Sequence, residues 1–181
     1  MRKAKAFWAA ATILTVAAAV SRAGETTANP TWEKLKTLVG TWQGHEGDMP
    51  VAVTYSLVSN GHSLMESLTA EHGTNMITMY APDGDSILAT HYCAAGNQPR
   101  MRAKASSGTE SVASVASVAS VAPVAPIDFQ FVDAANVQDP NAEIMRRLVI
   151  TIQDADHFEQ AWTSRSNGKE QTSRFVYTRK K

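Results

Sequence analysis

The sequence predicts an all-β protein, an antiparallel up-and-down β-barrel of about ten strands with one short helix near the N-terminus. Apolar and polar residues alternate from Thr41 onward, which is typical of strands with one buried face. Closure into a barrel would remove both exposed sheet edges, whereas a two-sheet sandwich is the alternative arrangement. Hairpin-forming pairs separate several of the alternating runs, and they are Asn60-Gly61, Asp83-Gly84 and Asn167-Gly168.

Residues 1–23 have the pattern of a secretory signal peptide. Basic residues precede an apolar run from Phe7 to Val20, and Ser21-Arg22-Ala23 places small residues just before a cleavage point. The apolar run is short for a membrane span, so we expect no stable insertion after cleavage, and an uncleaved anchor helix is the alternative. Cleavage would leave one domain, 24–181, in the periplasm or outside the cell.

Removal of the signal peptide changes the charge of the chain. The leader holds four of the 17 basic residues and none of the 17 acidic ones, which leaves 13 against 17 and a net charge of −4. A mildly acidic domain without a basic stripe is not expected to bind nucleic acid. Cys93 is the only cysteine, so no intrachain disulfide can form even in an oxidising compartment.

One helix precedes the strand-like runs. Asn29 is suited to cap this helix, Pro30 to occupy its first turn and Gly40 to end it.

Residues 111–126 repeat Ser-Val-Ala and end in prolines, which predicts an expanded hairpin loop, or alternatively a β segment that recruits a partner. The strand-like runs span 41–46, 50–58, 63–71, 74–81, 86–93, 99–105, 127–133, 145–153, 156–165 and 171–179.

The start of the first strand resembles that of calycin-type barrels. In lipocalins, fatty-acid-binding proteins and nitrobindin-like proteins, a short helix leads into a strand with Gly-x-Trp or Gly-Thr-Trp, as Gly40-Thr41-Trp42 does here. The resemblance implies that Trp42 closes one end of the barrel beneath a basic residue of the last strand, which would be Arg179. Residues 90–101, THYCAAGNQPRM, also resemble a segment of exported bacterial proteins that carry a domain of unknown function, and this likeness implies no activity.

Nitrobindin-like barrels bind haem through a His near the C-terminal end of the domain. The candidate in this chain is His157, within Asp154-Ala155-Asp156-His157-Phe158. That segment is typical of an acidic hairpin turn, whereas a haem protein needs a buried His. We therefore predict no cofactor, with haem binding as an alternative.

The segment Thr90–Arg102 combines a His, a Cys, two amides and two Arg around a Gly/Asn/Pro turn, and it is the candidate site. His91 and Cys93 share a strand face with Ile87 and Ala89, which predicts that they point inward. There they would ligate a metal, form a nucleophile–base pair or contact a ligand, or they would be a small buried Cys beside a hydrogen-bonded His. Two such side chains do not make a zinc site, so no metal is predicted.

Arg100 and Arg102 share one face of the next strand, and the alternation allows that face to point either way. If it points inward, the guanidinium groups would pair with Glu66 or bind a ligand carboxylate or phosphate, because an unpaired buried Arg is very costly. If it points outward, Met101 and Ala103 would fill the core and the Arg side chains would be solvated.

These patterns predict an exported β-barrel that binds a small, partly apolar ligand in its cavity. An enzyme that uses His91 as general acid or base in the same cavity, and a filled structural barrel, are the alternatives. Asn97 would form a polar gate at the barrel mouth, or would bond only to its own turn. The candidate ligand-binding residues are Glu66, His91, Cys93, Asn97, Arg100 and Arg102.

We expect the exported protein to begin at Gly24, and its intact mass should correspond to a chain without residues 1–23. Replacing the small residue before the cut, as in Ala23→Leu, should cause the leader to be retained, because cleavage sites require small side chains there. The neighbouring change Gly24→Ala should leave processing intact. A wild-type chain that keeps its leader would instead support the anchor helix.

Overall fold

A computed structural model describes residues 29–70, 75–104, 125–139 and 141–181. These residues form a closed barrel of ten antiparallel strands in which each strand pairs with its neighbours in the chain and the first pairs with the last. The predicted all-β, up-and-down barrel with one short helix is therefore confirmed, and the sandwich is not the arrangement found. The predicted signal peptide and positions 111–124 of the Ser-Val-Ala insertion lie outside the described residues.

Each strand lies within two residues of its predicted run. The helix α1 spans Pro30–Lys36. The strands are β1 (Gly40–Glu46), β2 (Met49–Val58), β3 (Ser63–Ala70), β4 (Met76–Asp83), β5 (Ser86–Tyr92), β6 (Gln98–Lys104), β7 (Ile127–Ala135), β8 (Ile144–Ile152), β9 (His157–Ser166) and β10 (Lys169–Arg179).

The helix begins as the sequence predicts and ends earlier. The Asn29 Oδ1 atom accepts hydrogen bonds from the backbone N–H groups of Thr31 and Trp32, at 3.1 and 3.2 Å. The last helical residue is Lys36, and Gly40 opens β1 with a φ of +133° instead of ending the helix. A Cβ on Gly40 would lie 2.7 Å from Nη1 of Arg179, so this glycine allows a close approach of that side chain. No helix in the described ranges is long and apolar enough to cross a membrane.

Aromatic side chains fill the half of the barrel next to α1, which we call the closed end. The ring of Phe158 lies 4.7 Å from that of Trp42, edge to face, and 4.7 Å from that of Tyr177, nearly parallel. Leu35 and Leu38, from α1 and the turn after it, are buried against this cluster and cover it. The opposite, open end is formed by the last residues of β1, β3, β5, β7 and β9 and the first residues of the other strands.

Arg179 and Trp42 meet at the closed end, where the calycin resemblance places them. The Arg179 Cζ atom lies 4.0 Å from the centre of the Trp42 ring, a cation–π contact. The same guanidinium donates to the carbonyl oxygens of Thr37, Val39 and Ala155 at 2.8–2.9 Å. One side chain thus joins the turn after α1, the β8–β9 turn and the first strand.

We expect Arg179→Ala to lower the free energy of unfolding by about 2 kcal/mol, because it removes a cation–π contact and charged hydrogen bonds to three carbonyls. Urea denaturation would measure the loss. Arg174→Ala is the matched control, since Arg174 is exposed on the same strand and has no hydrogen-bond or ion-pair partner among the described residues. Equal effects of the two substitutions would contradict a special role for Arg179.

Candidate functional site

The open end of the barrel contains a cavity of about 150 Å³. It exists because the aromatic cluster occupies only the closed half of the interior. Its walls combine apolar side chains with a few polar ones, which is the usual make-up of a small-molecule site. The lining residues are Glu46, Glu66, Leu68, Met76, Thr78, His91, Glu143, Met145, Trp162, Ser164, Ser173 and Phe175.

Glu66 lies on the cavity wall next to the aromatic cluster and is 2% exposed. Its Oε2 atom accepts hydrogen bonds from the hydroxyls of Tyr55 and Tyr80, at 3.0 and 2.5 Å. The Nε2 atom of Gln160 donates to the same oxygen at 3.1 Å, and the Trp162 indole donates to the Gln160 Oε1 atom at 3.3 Å. Because Gln160 accepts from the indole, its amide must present N–H groups to the carboxylate.

Burial controls the protonation of this network. It raises the pKa of Glu66 above its usual range, although the hydrogen bonds from its three neighbours oppose that shift. Burial and the nearby Glu66 charge raise the pKa values of Tyr55 and Tyr80 well above their usual range. Both tyrosines therefore keep their protons and act as donors to the carboxylate.

His91 lines the same cavity from β5 and is 3% exposed. Its Nδ1 atom lies 2.9 Å from the Thr78 hydroxyl, and its ring lies 4.8 Å from that of Trp162. Its Nε2 atom is buried and has no hydrogen-bond partner among the described residues. Burial lowers the pKa of His91 to about 4, so the ring is neutral at pH 7.

Asn97 lies at the open end but is not among the cavity-lining residues. It is 1% exposed, and its Nδ2 atom donates to the backbone carbonyl of Glu143 at 2.8 Å. This bond ties the β5–β6 turn to the segment before β8, which carries Glu143 on the cavity rim. Asn97 therefore positions part of the mouth rather than lining it.

Cys93 follows the last residue of β5 and is partly buried. Its backbone N–H donates to the carbonyl of Asn97 at 3.1 Å, and its own carbonyl accepts from Gly96 at 2.9 Å. The thiol is free and is not part of the cavity wall. Within the described ranges, no group of three His, Cys, Asp or Glu side chains is arranged to bind a metal ion.

Arg100 and Arg102 lie on the outer face of β6, which corrects the inward alternative. Arg100 forms a two-point ion pair with Asp133, which lies opposite it on β7. Arg102 forms an ion pair with Asp83. Met101 and Ala103 point inward and are fully buried. Acidic partners are available outside the barrel, whereas Glu66 is already bonded to two tyrosines and a glutamine.

His157 is exposed at the start of β9, at the closed end of the barrel. Its Nδ1 atom lies 2.9 Å from the carboxylate of Asp154, within the acidic turn predicted from the sequence. This position is remote from the cavity and is not that of a buried axial ligand.

Sequence reasoning identified His91 and Glu66 but missed most of the residues around them. The missed ones include Tyr55, Thr78 and Tyr80 on β2 and β4. Gln160 could have been identified from the sequence. It lies two positions from both Phe158 and Trp162, so this polar residue shares their buried strand face. No protein-family model matches this chain, and no curated protein is similar to it in sequence.

We expect acid to destabilise the fold through His91. Its pKa of about 4 in the folded state lies below the ordinary 6.5, so the unfolded chain binds more protons between these values and stability falls as the pH falls. Between pH 7 and 5 the loss from this one group is about 2 kcal/mol.

Urea denaturation of wild type and His91→Gln at both pH values would measure this contribution as a difference. The raised pKa of Glu66 has the opposite sign, since it lowers stability as the pH rises, and it cancels because both proteins contain it. The same pH dependence in the two proteins would rule out a buried neutral His91.

Proposed function

We propose that this chain binds a small, partly apolar ligand in the open-end cavity. The observation that carries the proposal is the buried, unpartnered Nε2 atom of His91, a residue that lines the cavity. A buried polar atom without a partner costs about 1–3 kcal/mol. Three side-chain atoms of the described residues are in this state, and unlike Asn97 Oδ1 and Tyr177 Oη, His91 Nε2 belongs to a residue that lines the cavity. A ligand that bonds to this nitrogen would recover that free energy.

The composition of the cavity supports the same proposal. Leu68, Met76, Met145 and Phe175 provide apolar contact area, while Glu66 and His91 provide fixed polar groups. Cavities of about 150 Å³ accept a molecule the size of benzene. The ligand is therefore small, with one apolar part and one group that forms hydrogen bonds.

Binding of a small ligand is better supported than catalysis or haem binding. A general base works best when its pKa lies near the working pH, and burial lowers the pKa of His91 to about 4. Larger ligands occupy pockets of about 300–1,000 Å³, so this cavity is too small for a porphyrin. We therefore place neither a proton-transfer step nor a haem in it.

We also propose that the chain is an exported, calycin-like binding protein. The helix that leads into Gly40-Thr41-Trp42, and the Arg179 side chain over the Trp42 ring, support the calycin assignment. The basic and apolar residues before Gly24 support export to the periplasm or the medium. The partner that we propose is a small molecule, and the acidic mature chain does not favour nucleic acid.

Native mass spectrometry of the mature protein from its own host should detect a small-molecule adduct with one ligand per chain. Ser173→Phe should remove the adduct, because Ser173 lines the cavity and a phenyl ring would occupy it. Thr172→Phe is the matched control, since Thr172 is the preceding residue on β10 and is exposed. An adduct that survives Ser173→Phe would locate binding elsewhere and contradict the proposal.

The role of His91 can be separated from the role of the cavity. His91→Asn places an amide where Nδ1 meets Thr78 but removes the Nε2 atom, so it should weaken binding about tenfold, the loss of roughly one good hydrogen bond. His91→Gln reaches the Nε2 position and should restore part of the affinity. Equal ligand affinity in wild type and His91→Asn would show that the Nε2 atom does not contribute to binding.

A further inference from the structure

We propose that the ligand is a small organic ammonium ion, an amine protonated at neutral pH that is attached to an apolar body. This inference rests on the proposed function, since it names the class of molecule that the open-end cavity takes. It follows from the charges of the cavity, from the unused acceptor atoms on its wall and from the aromatic surface beside them.

The charges of the cavity have one sign. Among the described residues that line it, Glu46, Glu66 and Glu143 carry carboxylates and none is Lys or Arg. The carboxylates of Glu46 and Glu143 have no ion-pair or hydrogen-bond partner in the described part of the chain. Carboxylates at a cavity mouth attract cations and repel anions, so a ligand carboxylate or phosphate is disfavoured.

Glu66 has an unused acceptor. Its three hydrogen bonds from Tyr55, Tyr80 and Gln160 all go to Oε2, and no described residue donates to Oε1. A carboxylate can accept several hydrogen bonds at each oxygen, and an ammonium group brings three N–H donors. A cation next to Glu66 also favours the charged carboxylate and opposes the effect of burial on its pKa.

His91 supplies a second acceptor on the same wall. When Nδ1 carries the proton and donates to the Thr78 hydroxyl, the unpartnered Nε2 atom presents a lone pair. An ammonium group that donates to this nitrogen and to the Glu66 Oε1 atom would satisfy both acceptors. A ligand that offers only acceptors leaves Oε1 without a partner.

The aromatic and apolar walls favour an organic cation. Trp162, whose ring lies 4.8 Å from that of His91, and Phe175 both line the cavity, and aromatic faces attract cations. Leu68, Met76 and Met145 offer hydrocarbon contact to the rest of the ligand. With a volume of about 150 Å³, the cavity accommodates an amine with an apolar body about the size of one benzene ring.

Three probes with the same ring test this inference: benzylamine, benzyl alcohol and benzoate. Titrations of the mature protein, followed by calorimetry and by the indole N–H resonance of Trp162, should show benzylamine binding at least tenfold more tightly than benzyl alcohol and no binding of benzoate. Glu66→Gln should reduce the affinity for benzylamine to that for benzyl alcohol. Glu159→Gln removes the same charge from the outer surface and should leave the preference unchanged.

The outcomes separate this inference from the proposed function. If benzyl alcohol binds as tightly as benzylamine, the cavity binds ligands but does not select cations, and only the inference is overturned. If none of the probes binds while the host-purified protein carries an adduct that Ser173→Phe removes, the ammonium class is again overturned and the cavity stands. If none of the probes binds and the host-purified protein carries no adduct, both proposals are overturned. Urea denaturation of Glu66→Gln checks that the variant is folded.

Discussion

The pairing of β1 with β10 is the constraint on which the rest of this structure depends, because it closes ten strands into a ring of fixed circumference. In this pairing Trp42 lies opposite Arg179, so the contact that covers the closed end is also part of the seam. Barrels of about eight strands are just wide enough for side chains to fill, and width grows with strand number. Ten strands therefore leave an interior that needs large aromatic side chains where it is filled and stays hollow where they are absent.

A carboxylate in such an interior is stable only when other groups hold it. Glu66 on β3 is bonded to Tyr55 on β2, Tyr80 on β4 and Gln160 on β9. The first three strands are neighbours, but β9 lies across the barrel, so these bonds cross the interior and fix the opposite walls relative to each other. The network thus has two roles: it satisfies a buried carboxyl group, and it holds the Trp162 side of the cavity at a set distance from the His91 side.

The strands could be predicted from the sequence because alternation is a local property of each run. Local signals did not decide the orientation of β6, since Arg100 with Arg102 and Met101 with Ala103 both alternate correctly. Partners distant in sequence decided it, because Asp83 and Asp133 are available on the outer surface. Gly40 also depends on a distant partner, since a Cβ there would meet the side chain of Arg179.

A cavity could be expected from the number of strands, but its position and most of its lining were beyond sequence reasoning for a related reason. Its lining comes from several strands, and its volume depends on which large side chains fall at the same height in the barrel. His91 and Glu66 were recognised because each is polar on an otherwise apolar strand face. Thr78 and Ser173 were missed because small polar residues are common on both faces of strands.

The division of the barrel into a packed half and a hollow half has a consequence for how such a protein can diversify. Most of the large buried side chains that hold the ring together lie at the closed end, away from the residues that would contact a ligand. Substitutions at positions such as Ser164, Ser173 or Met76 can change which molecule fits without removing a structural contact of the aromatic cluster. Under the proposed function, selection could therefore alter the specificity of this barrel one wall position at a time while the closed end keeps its packing.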